Sequence, residues 1–141
     1  MFMGEYNHTV DPKGRLIVPS KFREQLGSEF VVTKGLDGCL FVYPAEEWHN
    51  IEDKFRNISM TSKDARKFSR FFFAGAAAVE LDKQGRILLP PVLREYANLE
   101  GEAHIIGMDT NLEIWNTELW NEENAQYTPE SVAAIMEELN F

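Results

Sequence analysis

Two short segments carry the residue types best suited to chemistry: Asp11-Pro12-Lys13-Gly14-Arg15 and Asp82-Lys83-Gln84-Gly85-Arg86. A three-residue hairpin loop commonly combines a type I turn with a residue in the left-handed region. Such a turn favours Asp first, Pro second and Gly fourth. Asp11, Pro12 and Gly14 take those places, and Asp82 and Gly85 repeat the frame. Gly is suited to the last place because it reaches positive φ without steric cost. This geometry sets Asp11 against Arg15, and Asp82 against Arg86, across a hairpin mouth. One reading is a cross-strand ion pair that closes a turn and is worth about 0.2–1 kcal/mol. The other uses the pair as a tool. An Arg oriented by one carboxylate keeps other N–H groups free in a fixed plane, which fits a phosphate or guanine O6 and N7. Lys13, at the tip of the first loop, and Lys83 in the second would add phosphate contacts. The turn alone fits both readings, and the recurrence of Arg with Asp in two copies favours the second.

The two turns belong to a longer repeat. Asp11 to Pro19 reappears as Asp82 to Pro90 at an offset of 71, and Arg23/Arg94 and Glu24/Glu95 continue the identity. After one inserted residue the match resumes at an offset of 72 with Gly35/Gly107, Asp37/Asp109, Leu40/Leu112, Glu46/Glu118 and Trp48/Trp120. Agreement over some 40 residues with a single gap marks a tandem duplication. The units span residues 5–50 and 76–121, with a helical linker at 51–75 and a helical tail at 122–141.

Each unit must build the elements that hold its turn. Tyr6, His8 and Val10 alternate with polar residues as a half-buried strand does, and Val79 and Leu81 do the same. The apolar runs Leu16 to Val18 and Ile87 to Leu89 follow the turns. Pro19 opens a short helix with Phe22 and Leu26 on one face and Gly27 at its stop. Phe30 to Thr33 and Leu40 to Tyr43 are two further strands, and Asp37-Gly38 between them signals a hairpin. A β-β-α-β-β unit of this size is marginal alone, so two of them are expected to share one barrel-like core. The expected class is α+β, mainly β. In the linker, Trp48, Ile51, Phe55 and Ile58 recur at helical spacing. Thr61 with Asp64 suggests a capping box for a second helix, with an apolar stripe of Ala65, Phe68 and Phe72. Its basic stripe, Lys63, Arg66, Lys67 and Arg70, reads as a solvated face. In the tail, Thr128-Pro129 starts a helix whose Val132, Ile135, Met136 and Leu139 form a docking face, for its own chain or a neighbouring subunit.

Charge bears on the partner. The 141 residues hold 14 Lys and Arg against 23 Asp and Glu, a formal net charge of -9. As a total, that argues against nucleic acid. The distribution argues otherwise: residues 1–94 hold all 14 bases and 12 acids, whereas residues 95–141 hold 11 acids and no base. The duplicated arginine turns therefore lie in a segment of net charge +2.

Other chemistry is sparse. His8, His49 and His104 with the single Cys39 give no metal-ligand spacing. No phosphate-loop, dinucleotide or nucleophile-elbow motif occurs. The acid pairs Glu46-Glu47 and Glu122-Glu123 are expected at helix starts, where they complement the helix dipole. No enzyme activity and no small-molecule cofactor are expected. The longest apolar run, Phe71 to Val79, falls short of the roughly 20 residues of a membrane span. The N-terminus lacks a signal pattern and one cysteine suits a reducing compartment, so a cytoplasmic protein is expected.

The sequence resembles the MraZ family of bacterial transcriptional regulators. The resemblance rests on the Met1-Phe-Met-Gly4 start, the tandem D-x-x-x-R turns within SpoVT-AbrB-like units, and the segment Asp64 to Gly75. It covers nearly the whole chain. It implies an AbrB-type, swapped-hairpin-like β-barrel made by both units, and assembly of chains into a ring, octameric or larger. It also implies binding of double-stranded DNA through Asp11 to Arg15 and Asp82 to Arg86, at G-rich direct repeats upstream of the family's own division and cell-wall operon. A nucleoid-associated regulator follows. The acidic C-terminal segment leaves an alternative, an antitoxin-like module that binds protein.

Overall fold

The computed structural model describes residues 1–141. In chain order the elements are β1 (Glu5–Val10), β2 (Arg15–Ile17), α1 (Ser20–Leu26), β3 (Glu29–Lys34), β4 (Leu40–Pro44), α2 (Ala45–Arg56) and α3 (Lys63–Ala74). The second half repeats the pattern with β5 (Ala77–Glu80), β6 (Arg86–Leu88), α4 (Pro91–Tyr96), β7 (Gly101–Gly107), β8 (Leu112–Asn116), α5 (Thr117–Asn124) and α6 (Pro129–Glu138).

The eight strands form one sheet in the order β5-β3-β4-β8-β7-β1-β2-β6. The turn from β5 to β6, closed by the bond from Asp82 N–H to Arg86 O at 2.8 Å, brings the two ends together and nearly completes a barrel. The two halves interdigitate. β1 of the first unit pairs with β7 of the second, while β5 of the second pairs with β3 of the first. β2 pairs with β6, and β4 with β8. The shared barrel expected from the duplication, and the swapped pairing that the family resemblance implies, are the ones observed.

Alternation drives this arrangement. Leu16 and Ile87 point inward and are fully buried, as are Phe30, Val32, Leu40, Leu112 and Ile114. One continuous core joins them to Phe22 and Leu26 of α1 and Leu93 of α4. Pro19 caps α1 and Gly27, at φ 77, ends it, as the sequence indicates. Asp37 and Gly38 both take positive φ, and Cys39 N–H bonds Leu36 O, the geometry of a hairpin turn with two left-handed residues.

Several details differ from the sequence reading. α2 begins at Ala45, directly after Pro44, so it crosses the expected unit boundary at residue 50, and α5 likewise crosses residue 121. The N-cap of α3 is Ser62 rather than Thr61. Ser62 Oγ accepts the Ala65 N–H at 3.3 Å, whereas the Thr61 hydroxyl is engaged with Ser59 at 2.7 Å. Of the expected apolar stripe of α3, Ala65 and Phe72 are buried, whereas Phe68 is 46% exposed. Glu122 and Glu123 lie at the end of α5, not its start, and Glu123 accepts the Tyr127 hydroxyl at 2.7 Å. Thr128 and Ser131 do cap α6 reciprocally. Its face does not dock on its own chain: Val132, Ile135, Met136 and Leu139 are 37, 50, 44 and 72% exposed.

Candidate nucleic-acid interface

Both D-x-x-x-R segments form the same turn. Asp11 N–H donates to Arg15 O at 2.9 Å and Gly14 N–H to Asp11 O at 2.8 Å; Asp82 N–H donates to Arg86 O at 2.8 Å and Gly85 N–H to Asp82 O at 3.0 Å. Gly14 and Gly85 adopt φ values of 87 and 77, the left-handed region the turn requires. Each Asp then serves as an internal scaffold. Asp11 Oδ1 accepts the backbone N–H of Lys13 and of Arg15, at 3.0 and 2.9 Å. Asp82 Oδ1 accepts those of Gln84 and Arg86, both at 2.9 Å. The second oxygen of each carboxylate takes the guanidinium Nε, at 2.6 Å in Arg15 and 2.8 Å in Arg86. The backbone bond from Arg15, followed by its side chain, holds the Asp11 carboxyl below its ordinary range, and Arg86 does the same for Asp82. Both carboxylates are therefore ionised throughout neutral pH.

Because the Asp uses Nε, the two terminal nitrogens of each arginine are left free of intramolecular hydrogen bonds and still fixed in direction. One edge of each guanidinium is spent on the turn and the other makes no hydrogen bond within the chain, in side chains that are 34% (Arg15) and 25% (Arg86) exposed.

The topology then brings the arginines together. β2 and β6 run antiparallel with Arg15 opposite Leu88, Leu16 opposite Ile87, and Ile17 opposite Arg86. Strand alternation places Leu16 and Ile87 inward, so Arg15, Ile17, Arg86 and Leu88 share the outer face. Ile17 and Leu88 are 40 and 60% exposed, which confirms that this face is open. A local two-fold between Leu16 and Ile87 relates the two arginines, whose Cα atoms stand about 8 Å apart from strand spacing and rise. Lys13 and Lys83 are exposed on their separate loops.

The loops are braced from the opposite unit. The carbonyl of Gly85 accepts the Val18 N–H and the carbonyl of Gly14 accepts the Leu89 N–H, both at 2.9 Å. The Arg94 guanidinium of α4 lies against Gly14, and that of Arg23 from α1 lies against Gly85. Arg23 Nε also donates to Val18 O at 2.8 Å, whereas the buried Arg94 Nε has no partner. Arg23 and Arg94 are visible in the sequence as an identical pair of the repeat, but nothing local to either position signals contact with the other unit's loop.

No group of three His, Cys, Asp or Glu is placed to hold a metal ion. Cys39 is buried, and burial raises its thiol pKa well above the ordinary value. His104 is tied to Thr117 and Asn7, and His49 to Glu52. The basic stripe of α3 is solvated along Lys63, Lys67 and Arg70, while Arg66 folds back to bond Met60 O at 2.9 Å. No helix is long and apolar enough to cross a membrane.

The molecule is, by class, a pseudo-symmetric dimer within one chain: a duplicated, strand-swapped barrel that displays a pair of preorganised arginines on a two-stranded ribbon. Comparison with known proteins is consistent with that class and more specific. The family model described as "MraZ protein, putative antitoxin-like" matches twice, at residues 1–71 and 72–139. The chain is 54% identical over 143 residues to the protein named Transcriptional regulator MraZ from Thermoanaerobacter sp. (strain X514), covering 100% of both chains. It is 56% identical over 138 residues to the protein of that name from Acetivibrio thermocellus, with 96% of each covered. For the one from Desulforamulus reducens the identity is 59% over 126 residues, with 89% of each covered. The chain belongs to the MraZ family.

Proposed function

We propose that this protein is a sequence-specific, non-enzymatic DNA-binding regulator of transcription that reads DNA with Arg15 and Arg86. The observation that carries the proposal is the pair of free guanidinium edges on one open ribbon face, each held by its own Asp. A B-DNA major groove admits a two-stranded ribbon, and an Arg bidentate to guanine O6 and N7 is the commonest specific contact there. The spacing of the two arginines suits bases about two steps apart, given a rise of about 3.4 Å per base. Lys13, Lys83 and the turn backbones supply phosphate contacts that set register. The names of the relatives support the regulatory role.

One such contact gives only about 1–3 kcal/mol of discrimination. Selective binding therefore calls for several copies on several boxes, through effective concentration. Direct repeats match a head-to-tail ring, in which neighbours are related by rotation. On this reading the target is a set of G-rich direct repeats upstream of the protein's own division and cell-wall operon, and the protein is nucleoid-associated. Footprinting on that upstream DNA, with binding measured for wild type, Arg15→Ala and Arg86→Ala across salt concentrations, tests it. Loss of the footprint in folded variants is expected. Unchanged specific binding by both variants overturns the loop assignment.

A second reading has its own support in the exposed apolar face of α6 and in the antitoxin-like description of the family. A module that binds a protein through its C-terminal helix would retain one stoichiometric partner in a pull-down, lose it on removal of residues 129–141, and show no affinity for DNA.

A further inference from the structure

The ribbon that carries Arg15 and Arg86 also carries two aliphatic side chains that the core does not use. Ile17 and Leu88 occupy equivalent places in the repeat, each two residues after its arginine. The neighbours of both are buried: Leu16 and Val18 on one strand, Ile87 and Leu89 on the other. Ile17 and Leu88 lie outside the core that those four residues join. A lone exposed aliphatic is ordinary. Two at matched positions, alone with two arginines on one face of β2 and β6, call for a different account.

Register fixes what they flank. The bonds from Val18 N–H to Gly85 O and from Leu89 N–H to Gly14 O, both 2.9 Å, mark the hydrogen-bonded pairs of the ribbon. The two kinds of pair alternate in an antiparallel ladder, so Arg15–Leu88 and Ile17–Arg86 are non-hydrogen-bonded pairs. In such pairs the Cα atoms are about 4.5 Å apart and the side chains approach most closely. Each arginine is thus flanked by an aliphatic of the other unit. The four side chains form a checkerboard, with charge on one diagonal and hydrocarbon on the other.

We infer that Leu88 and Ile17 read the 5-methyl group of thymine beside the guanines that Arg15 and Arg86 take, an inference that rests on the DNA-binding reading above. Among the base edges of the major groove that methyl is the one apolar group, and apolar side chains are what contact it. The spacing suits it. A side chain about 5 Å across the ribbon from an arginine falls within two base steps of about 3.4 Å each. Leu and Ile offer no hydrogen bond, so a cytosine or adenine amino group placed against them is desolvated without a partner and disfavoured. Because Leu88 flanks Arg15 and Ile17 flanks Arg86, each guanine–thymine contact draws on both units of the duplication.

The test uses the full chain. Wild type selects duplexes from a random-sequence pool, and each thymine is then replaced singly by deoxyuridine, which lacks only the 5-methyl group. Wild type should lose about fourfold in affinity at thymines within two steps of a contacted guanine, as expected for one methyl-sized apolar contact. Ile17→Ala and Leu88→Ala, checked for folding by circular dichroism, should each bind thymine and deoxyuridine duplexes alike at one set of these positions. Ile17→Val and Leu88→Ile should keep the difference. All four variants should still lose affinity when 7-deazaguanine replaces the contacted guanines, since Arg15 and Arg86 remain. A wild type indifferent to every deoxyuridine overturns the inference, and continued sensitivity to 7-deazaguanine then leaves the arginine reading standing. Alanine variants that bind more weakly but keep the full thymine preference also overturn it, because the aliphatics then only support the arginine stems. A pool that yields no enriched sequence, or Arg15→Ala and Arg86→Ala variants that bind the selected duplexes like wild type, removes the arginine reading and the inference with it.

Discussion

Gly14 and Arg94 touch across the pseudo-two-fold: a Cβ at position 14 would lie 2.6 Å from Arg94 Cζ. The first D-x-x-x-R loop is seated on a side chain that belongs to the second unit, 80 residues away in sequence. The reverse contact, Gly85 on Arg23, makes the bracing mutual.

Replacing Gly14 with Ala therefore has two costs. The φ of 87 strains any L side chain, and the added methyl displaces a guanidinium. The expected loss is about 1–3 kcal/mol of stability, read by urea unfolding, together with weaker DNA binding at temperatures where the variant is folded. Arg94→Ala in the Gly14→Ala background should recover part of the stability. Equal losses in the single and double variants would show that the contact has no bearing.

Asp11→Asn separates preorganisation from charge. The change makes the protein one unit less negative, which by simple electrostatics favours DNA. It also removes the carboxylate that aims Arg15. Specific binding should fall by about tenfold, the equivalent of ~1.4 kcal/mol, while affinity for random DNA stays level or rises. Titration of both DNAs at one salt concentration decides the matter.

The loops differ at two positions, Pro12 against Lys83 and Lys13 against Gln84, so each carries one lysine at a different place. Lys13→Gln should lower the slope of log K against log salt by about 0.9, the value for one phosphate contact, and Gln84→Lys should raise it by the same amount. A slope unchanged in both would remove these positions from the phosphate contacts.

Glu113 provides a pH signature of the barrel itself. Burial raises its carboxyl pKa, while the bond from Trp115 Nε1, 2.9 Å long, pulls it down, and nearby Asp37 adds to the rise. A carboxyl whose folded value is raised stabilises the fold at low pH and loses that contribution as pH rises through the folded value. Glu113→Gln keeps an acceptor for Trp115 and removes the half-buried charge. Thermal melts should show it a few degrees more stable than wild type at pH 7 and no more stable near pH 4. Asp11 and Asp82 have the opposite sign. Their contribution is complete above the ordinary carboxylate range and is lost only as pH falls through their lowered values, so the D-x-x-x-R loops should be insensitive to pH between 6 and 8.

Much of this arrangement was legible in the residues. The duplication predicts two equivalent turns, Asp37-Gly38 predicts its hairpin, and Pro19 and Gly27 bound α1, because turn and cap chemistry is local. The shared barrel follows from units too small to bury a core alone. What local patterns do not carry is contact between units. Arg23 and Arg94 stand in the sequence only as an identical pair of the repeat, and their contact with the other unit's loop follows only once β2 is paired with β6. The Thr61 reading failed by one residue because two adjacent hydroxyls offer themselves as caps, and it is Ser62 that accepts the Ala65 N–H while the Thr61 hydroxyl bonds Ser59. The α6 stripe signals an apolar face, yet periodicity cannot say whose surface covers it.

The swapped pairing also sets the order in which the chain can fold during synthesis. β1 emerges first from the ribosome, but its long partner is β7, which ends at Gly107. β2 waits for β6, and β4 waits for β8. A nascent first unit has its own β3–β4 hairpin and helices to form, yet holds β1 with an open edge until nearly the whole chain has been made. At about 5–20 residues per second the delay lasts several seconds, and during it a neighbouring nascent chain on the same message can offer an identical second half.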